Sequence, residues 1–87
     1  MPEITLTVRH EVGLHARPAA MFVQTARRFE SDVRVTHDER EANGKSILNV
    51  LTLGANQGAV ITIRAEGEDA EQALAALEAL VEDNFGE

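Results

Sequence analysis

Residues 3–29 read EITLTVRHEVGLHARPAAMFVQTARRF, and a change of periodicity within this stretch decides the fold class. In residues 3–10, apolar side chains alternate with polar ones, a pattern typical of a strand with one buried face. In residues 16–29, apolar side chains recur every three or four positions, which predicts an amphipathic helix with His15 at its start. The apolar side of this helix comprises Ala19, Phe22, Val23, Ala26 and Phe29.

Three more stretches have the pattern of strands. Residues 32–37 and 39–43 predict two short strands joined by a tight turn at Asp38 and Glu39. Residues 59–67 alternate again and contain several β-branched side chains, so they predict a fourth strand.

Residues 46–55, SILNVLTLGA, are short and apolar, and periodicity alone does not distinguish a strand from a helix there. Ser46 is a suitable N-cap, and Gly54 is a suitable residue just after the C-terminus. These two positions favour a short helix.

Residues 69–86 predict the clearest helix of the chain. Asp69 and Gln72 have the spacing of a capping box, and Gly86 is expected to end the helix. Its core side is predicted to contain Ala70, Leu74, Leu77, Val81 and Phe85.

The predicted order is β-α-β-β-α-β-α, without repeats or linkers, and we expect one domain over residues 1–87. This order indicates an α+β two-layer sandwich, with the helices on one face of a sheet. The alternating threonines and arginines predict that the other face contacts water.

Composition excludes several function classes. The net charge is −7 and the chain has three aromatic residues, none of them Tyr or Trp, which argues against nucleic-acid binding. There is no cysteine, and no apolar run approaches the ~20 residues of a membrane span. We therefore expect a soluble, cytoplasmic protein without membrane insertion.

The charge is unevenly distributed along the chain. Residues 1–28 contain four arginines and two glutamates, whereas residues 66–87 contain eight acidic residues and no lysine or arginine. A basic region in an acidic protein suits an anionic ligand or an acidic partner surface. For Arg27 and Arg28, solvated surface charge is the simpler interpretation.

The start of the first helix has the features of an anion site. If His15 is the N-cap, the N–H groups of Ala16 and Arg17 lie in the first turn, where a helix has no acceptor for them. Pro18 is tolerated in that turn, and Gly13 allows a sharp approach. Free donors, the helix dipole and a guanidinium together favour a bound anion.

His15 adds a nucleophile to this site. Histidine has an unperturbed pKa of about 6.5, so a neutral ring nitrogen is available at neutral pH. Histidine is also a known covalent nucleophile. A nucleophile among phosphate-binding groups suggests that His15 accepts a phosphoryl group and passes it on. The alternative is that His15 merely caps the helix and Arg17 is a surface charge; position alone leaves both open.

A metal site is not expected. His10 and His15 are five residues apart across a predicted junction, with neither a cysteine nor an obvious group of carboxylates nearby. His37 ends a predicted strand, and a structural or solvated role is expected for it. No cofactor is implied.

Residues 42–46, ANGKS, end like a nucleotide-binding P-loop, but Glu39 stands where the first glycine of that motif belongs. The preceding acidic residues would also repel phosphates. Ser46 is interpreted instead as a helix cap, and a serine at a cap is a plausible phosphorylation site.

The short helix has more apolar residues than one buried side can hold. Ile47, Leu48 and Leu51 share one side, and Val50 and Leu53 share another. We expect the first group to form a docking surface for partners, although a core position for all five is the alternative.

The motif GLHARPAA resembles the phosphorylation-site signature of HPr, the histidine-containing phosphocarrier family of the bacterial phosphoenolpyruvate-dependent sugar phosphotransferase system. The similarity continues through FVQTARRF, ANGKSILNVLTLGA and AEGEDAEQAL, and includes the length. The resemblance implies an open-faced β-sandwich of four antiparallel strands and three helices. It implies a carrier rather than an enzyme.

The resemblance also implies roles for residues and partners. His15 carries the phosphoryl group on Nδ1, receives it from enzyme I and gives it to enzyme IIA domains, while Arg17 assists transfer. Ser46 corresponds to a regulatory serine that HPr kinase/phosphorylase modifies in many bacteria, and a transcription regulator is a further partner. The docking surface lies beside His15 in the family fold, and a monomer is expected.

One position departs from the family pattern. Many relatives have a small polar residue where this chain has Val12, whose side chain forms no hydrogen bond. Two alternatives to a sugar-system carrier remain: a regulatory binding module of the same fold, and a carrier of the nitrogen-related branch. Relatives of the first kind typically lack the histidine, and GKSI at residues 44–47 favours the carbon branch.

Overall fold

The computed structural model describes residues 2–11 and 13–86. The described residues form four strands, three α-helices and a short 3-10 turn, in the predicted order. These elements are β1 (Glu3–Thr7), α1 (Ala16–Ala26), β2 (Asp32–His37), β3 (Arg40–Asn43), α2 (Ile47–Leu51), β4 (Val60–Glu66), α3 (Ala70–Glu82) and the 3-10 turn (Asn84–Gly86).

The strands form a four-stranded antiparallel sheet in the order β1-β4-β2-β3. Alternate residues of the strands enter the core between the sheet and the helices, as the pattern predicted. The opposite face is open, and there Thr5 and Thr62 meet across neighbouring strands, with 3.2 Å between their hydroxyl oxygens. The α+β open-faced sandwich is thus confirmed. The largest fully buried side chains include Phe22, Phe85, Leu14, Leu53, Ile61, Ile63 and Leu77.

Helix α1 ends earlier than predicted, at Ala26 instead of Phe29. The N–H groups of Arg28 and Phe29 bond to carbonyls three residues back, at 3.1 and 3.2 Å, so the chain tightens and leaves the α-helix. Phe29 is therefore only half-buried and not part of the core, which corrects the prediction.

The predicted capping box of α3 is wrong. Asp69 is the N-cap, but its side chain makes no capping hydrogen bond. Its carboxylate instead accepts the N–H groups of Glu30 and Ser31, both at 2.9 Å, and the Ser31 hydroxyl. The Ser31 hydroxyl, followed by the Glu30 N–H, holds the pKa of the Asp69 carboxyl below its usual value. Asp69 thus ties α3 to the connection between α1 and β2.

The C-terminus of α3 also differs from the prediction. The helix ends at Glu82, and Asn84 and Phe85 both have positive φ. This left-handed turn brings Phe85 into the core, where it is 1% exposed. Within the described residues, no helix combines the length and apolar character needed to cross a bilayer.

Candidate functional site

His15 lies at the start of α1, as predicted. It is the N-cap, with φ −95° and ψ −161°, and its carbonyl accepts the N–H of Ala19 at 2.8 Å. The imidazole is exposed and makes no capping hydrogen bond. His15 thus occupies the N-cap position, but its side chain does not cap the helix.

Gly13 sets the approach of the chain to His15. It has φ +66°, and a Cβ at this position would lie 2.3 Å from the carbonyl oxygen of Ala55. The following N–H, of Leu14, donates to that same carbonyl at 2.7 Å, and the Leu14 side chain is buried. Because Gly13 has no side chain, the segment that leads to His15 packs directly on residues 54–58. The imidazole therefore lies beside this loop.

Asn56, in that neighbouring loop, contacts the imidazole. The N–H at Nε2 of His15 donates to Oδ1 of Asn56 at 3.0 Å. When Nε2 carries the proton, the other ring nitrogen, Nδ1, has the lone pair. The sequence did not predict the contact with Asn56, because Asn56 lies 41 positions after His15 and no local pattern relates the two residues. The flanking Gly54 and Gly58 indicate a tight loop, but they do not indicate that this loop lies beside His15.

The first turn of α1 supplies the donors that the sequence predicted. Ala16 and Arg17 are exposed and occupy positions whose N–H groups have no intrahelical acceptor. Pro18 is buried, and the first turn contains no acidic residue. Arg17 is two residues from His15. An anion near the imidazole would therefore meet backbone donors, the positive helix end and a guanidinium.

Ser46 is the N-cap of α2, which confirms the short helix. Its hydroxyl accepts the N–H of Asn49 at 3.4 Å, and the residue is half-buried. Gly54, with φ +64°, lies two residues beyond the C-cap Thr52, one position later than predicted. Arg27 is more than surface charge, because its Nε donates to the Lys45 carbonyl at 2.9 Å and places a cation next to Ser46.

The structure gives no support to a P-loop at residues 42–46. The ammonium of Lys45 donates to the Phe29 carbonyl at 2.6 Å, so it ties the segment after α1 to this turn. A Cβ on Gly44 would lie 2.6 Å from the Val33 side chain, so close packing explains the glycine. Both motif residues thus have structural roles.

The two sides of α2 differ as predicted. Val50 on α2 and Leu53 just beyond its C-cap are buried, whereas Ile47 is 39% and Leu48 is 72% exposed. Leu51 is half-buried and packs against the core, so it lies at the edge of the exposed group. Helix α2 packs against α1, whose N-cap is His15.

The other histidines have structural surroundings. His10 is 8% exposed, and its ring meets the Phe85 ring edge-on at 5.8 Å between centroids. The Nδ1 of His37 lies 3.1 Å from the Leu53 carbonyl in a hydrogen bond, beside an open surface recess that contains none of the predicted site residues. Among residues 2–11 and 13–86, no three His, Cys, Asp or Glu side chains cluster as metal ligands would.

The fold and the site together define a small open-faced sandwich that presents a histidine at a helix start. A family model described as the PTS HPr component phosphorylation site matches residues 2–83. The phosphocarrier protein HPr of Xylella fastidiosa (strain Temecula1) is 46% identical over 87 residues, covering all of this chain and 98% of the relative. The HPr-like protein Crh of Bacillus subtilis is 43% identical over 83 residues, covering 95% of this chain and 98% of the relative.

Solved structures agree. A crystal structure of HPr from Thermoanaerobacter tengcongensis superposes with a TM-score of 0.97 at 48% identity, covering all of this chain and 98% of that one. A second structure from that organism, described as a dimer, has a TM-score of 0.81 and covers both chains fully. The chain belongs to the HPr family. This is a family of phosphocarriers rather than of catalytic enzymes. Val12, which departs from the family pattern, lies outside the described residues.

Proposed function

We propose that this phosphocarrier accepts a phosphoryl group from phospho-enzyme I on Nδ1 of His15 and passes it to sugar-specific enzyme IIA domains in the cytoplasm. The observation that carries the proposal is the state of the imidazole. The ring is exposed and its Nε2–H is bonded to Asn56, so in the neutral ring the lone pair is on Nδ1.

The transfer follows from this arrangement. The Nδ1 lone pair of His15 attacks phosphorus as the bond from phosphorus to the donor atom of phospho-enzyme I breaks, and the donor atom recovers its electron pair. The phosphoryl oxygens then meet the N–H groups of Ala16 and Arg17 and the Arg17 guanidinium, which favour their negative charge. Transfer to the next protein reverses these steps. No metal or organic cofactor of the carrier takes part.

Incubation with enzyme I and phosphoenolpyruvate, followed by intact mass spectrometry, tests the proposal. We expect the mass of one added phosphoryl group, and we expect acid to remove it, because nitrogen–phosphorus bonds are labile in acid. A wild-type protein that stays unmodified, while a known carrier is phosphorylated in parallel, would refute the carrier function.

Arg17→Ala is expected to slow phosphoryl transfer roughly ten- to a hundredfold, because one charge-assisted contact to the phosphoryl group is lost. The fold should remain intact, since Arg17 is exposed. Quench-flow transfer rates and circular dichroism measure the two effects. Arg28→Ala is the matched control, because the Arg28 guanidinium lies 5.9 Å from the Phe29 ring centroid and not at the helix start. Equal rates for both variants would remove Arg17 from the mechanism.

A regulatory role is proposed for Ser46, with HPr kinase/phosphorylase as the modifying enzyme and a transcription regulator as the reader of the phosphoserine. Carbon catabolite regulation would follow. The GKSI context and the neighbouring Arg27 cation support a phosphate at this position.

Incubation with HPr kinase and ATP should add an acid-stable phosphate that Ser46→Ala removes. Thr52→Ala is the control, because Thr52 is an exposed hydroxyl at the opposite end of α2. Label that persists in Ser46→Ala would place the phosphate on another residue, and loss of label in Thr52→Ala alone would contradict the assignment equally.

The exposed apolar side of α2 is proposed as the docking surface for partners, formed by Ile47 and Leu48 with Leu51 at its edge. Leu48→Asp should weaken enzyme I binding about tenfold, the effect of about 1.4 kcal/mol, because a charge replaces an apolar contact. Isothermal titration calorimetry measures the affinity. Val60→Asp is the control, since Val60 is 54% exposed on the open sheet face. Equal affinities for the two variants would contradict docking at α2.

Two alternatives remain distinguishable. A regulatory module of the same fold is suggested by the similarity to the HPr-like protein Crh, but an exposed His15 favours the carrier. A carrier of the nitrogen-related branch would accept phosphate from a different enzyme I, and competition between the two enzymes separates the branches. We propose a monomer as the working form; sedimentation equilibrium tests this against the dimer described for the T. tengcongensis relative.

A further inference from the structure

We propose that Asn56 is a positioning residue for phosphoryl transfer. Its side-chain oxygen holds the proton on Nε2 of His15, keeps Nδ1 as the nucleophile, and stabilises the charged ring that phosphorylation creates. This inference rests on the proposed function, and it assigns a role to a residue that the sequence motif does not contain.

The position of Asn56 is fixed by the backbone. The Leu14 N–H bonds to the Ala55 carbonyl at 2.7 Å, and a Cβ on Gly13 would lie 2.6 Å from the Asn56 Cα, so the two segments touch. The Asn56 carbonyl accepts the Ala59 N–H at 2.9 Å, which closes the loop behind it. The amide at Asn56 therefore reaches the imidazole from a backbone that is already held in place.

The hydrogen bond between His15 Nε2 and Asn56 matters because the ring keeps its Nε2 proton throughout the reaction. His15 begins neutral with its proton on Nε2, and attack by Nδ1 forms the nitrogen–phosphorus bond without removing that proton. The phosphorylated ring is then an imidazolium, whose Nε2–H donates to Asn56 in a charge-assisted bond stronger than the neutral one. The positive ring is also the better leaving group in the next transfer, because it departs as a neutral imidazole.

The chemistry of the acceptor suits this task. An amide oxygen accepts the hydrogen bond without adding a negative charge beside the phosphoryl oxygens, whereas a carboxylate would repel them. The remaining residues of the 54–58 loop have no titratable side chain. Along the chain, the charged and titratable residues nearest to His15 are Arg17 on α1 and Arg9, His10 and Glu11 on the preceding segment.

Residue 12 is Val12, where many members of the family have a small polar residue, and this difference gives a chemical reason for a hydrogen-bond partner elsewhere in the chain. The Val12 side chain has neither a hydrogen-bond donor nor an acceptor. Asn56 supplies an acceptor from a different segment of the chain.

Nitrogen-15 NMR of the His15 ring, measured as a function of pH, tests the inference. In unphosphorylated protein, Asn56→Ala should reduce the fraction of ring with the proton on Nε2. In phosphorylated protein, the ring pKa should fall, because the charged ring loses its acceptor, and transfer to enzyme IIA should slow about three- to tenfold, as expected for loss of one exposed hydrogen bond.

Two further variants make the result specific. Asn56→Asp keeps the acceptor and adds a negative charge, so it should raise the ring pKa above that of the wild type. Gln57→Ala removes a neighbouring amide that donates to the Arg9 carbonyl at 3.3 Å, and it should leave the ring pKa unchanged. A purely structural role for Asn56 would not reverse the pKa shift with aspartate.

The failure of this inference is distinct from failure of the proposed function. Equal tautomer fractions, ring pKa values and rates in Asn56→Ala and Gln57→Ala would overturn the role of Asn56 while leaving His15 as the acceptor. A wild-type protein that takes no phosphoryl group would overturn the carrier function, and with it the transfer role of Asn56, even if the tautomer measurement showed the contact.

Discussion

Replacement of His15 by alanine is expected to abolish phosphoryl acceptance and to leave the fold intact. The imidazole supplies the nucleophilic nitrogen, so no activity should remain above background. Its side chain is exposed and makes no capping bond, and among residues 2–11 and 13–86 its hydrogen-bond partner is Asn56. The free energy of unfolding should therefore change by about 1 kcal/mol or less. Intact mass after incubation with enzyme I and phosphoenolpyruvate, together with urea denaturation, measures both quantities.

The control for this prediction is another histidine. His37 is half-buried and hydrogen-bonded to the Leu53 carbonyl at 3.1 Å, so His37→Gln should lose some stability yet accept the phosphoryl group normally. An acid-labile phosphate on the His15→Ala protein would place the acceptor elsewhere in the chain.

Replacement of Gly13 by alanine is expected to damage both fold and function. The residue has φ +66°, and the new Cβ would approach the Ala55 carbonyl oxygen to 2.3 Å, so the two segments must separate. The left-handed backbone and the clash together should cost roughly 2–4 kcal/mol. Because the same movement displaces His15 from Asn56, the transfer rate should fall as well. Urea denaturation and quench-flow kinetics check the two effects.

The Gly58→Ala variant separates the cost of the steric clash at Gly13 from the cost of placing alanine in a left-handed backbone conformation. Gly58 has φ +89°, but nothing lies within 4 Å of its added Cβ. Only the conformational cost of about 1–2 kcal/mol should appear, without a change in phosphoryl transfer. Equal losses of stability and rate in the two variants would show that the close approach at Gly13 has no special role.

The sequence was sufficient to predict the fold class and the position of His15. Strand and helix periodicities are local properties, and so is the capping preference of Ser46. The contrast between buried Val50 and Leu53 and exposed Ile47 and Leu48 was also predictable, because a short helix buries one side. Leu51 was grouped with the exposed residues but is half-buried against the core.

The contacts that complete the structure lie far apart in the chain, and the sequence did not reveal them. Asp69 has the pattern of a capping box, but its carboxylate bonds to Glu30 and Ser31, about 38 residues away. The bond from His15 to Asn56 spans 41 residues. Sequence spacing predicts hydrogen-bond partners that are close in the chain. The partners of Asp69 and His15 are distant in the chain and become neighbours only when it folds.

The most direct test of His15 Nδ1 as the acceptor is a phosphorus–nitrogen correlation NMR experiment on nitrogen-15-labelled protein, phosphorylated by enzyme I and phosphoenolpyruvate. We predict a single phosphorus resonance coupled to Nδ1 of the His15 ring, whose other nitrogen retains its proton near neutral pH. Coupling to Nε2, or a phosphorus resonance coupled to the ring of His10 or His37, would contradict it.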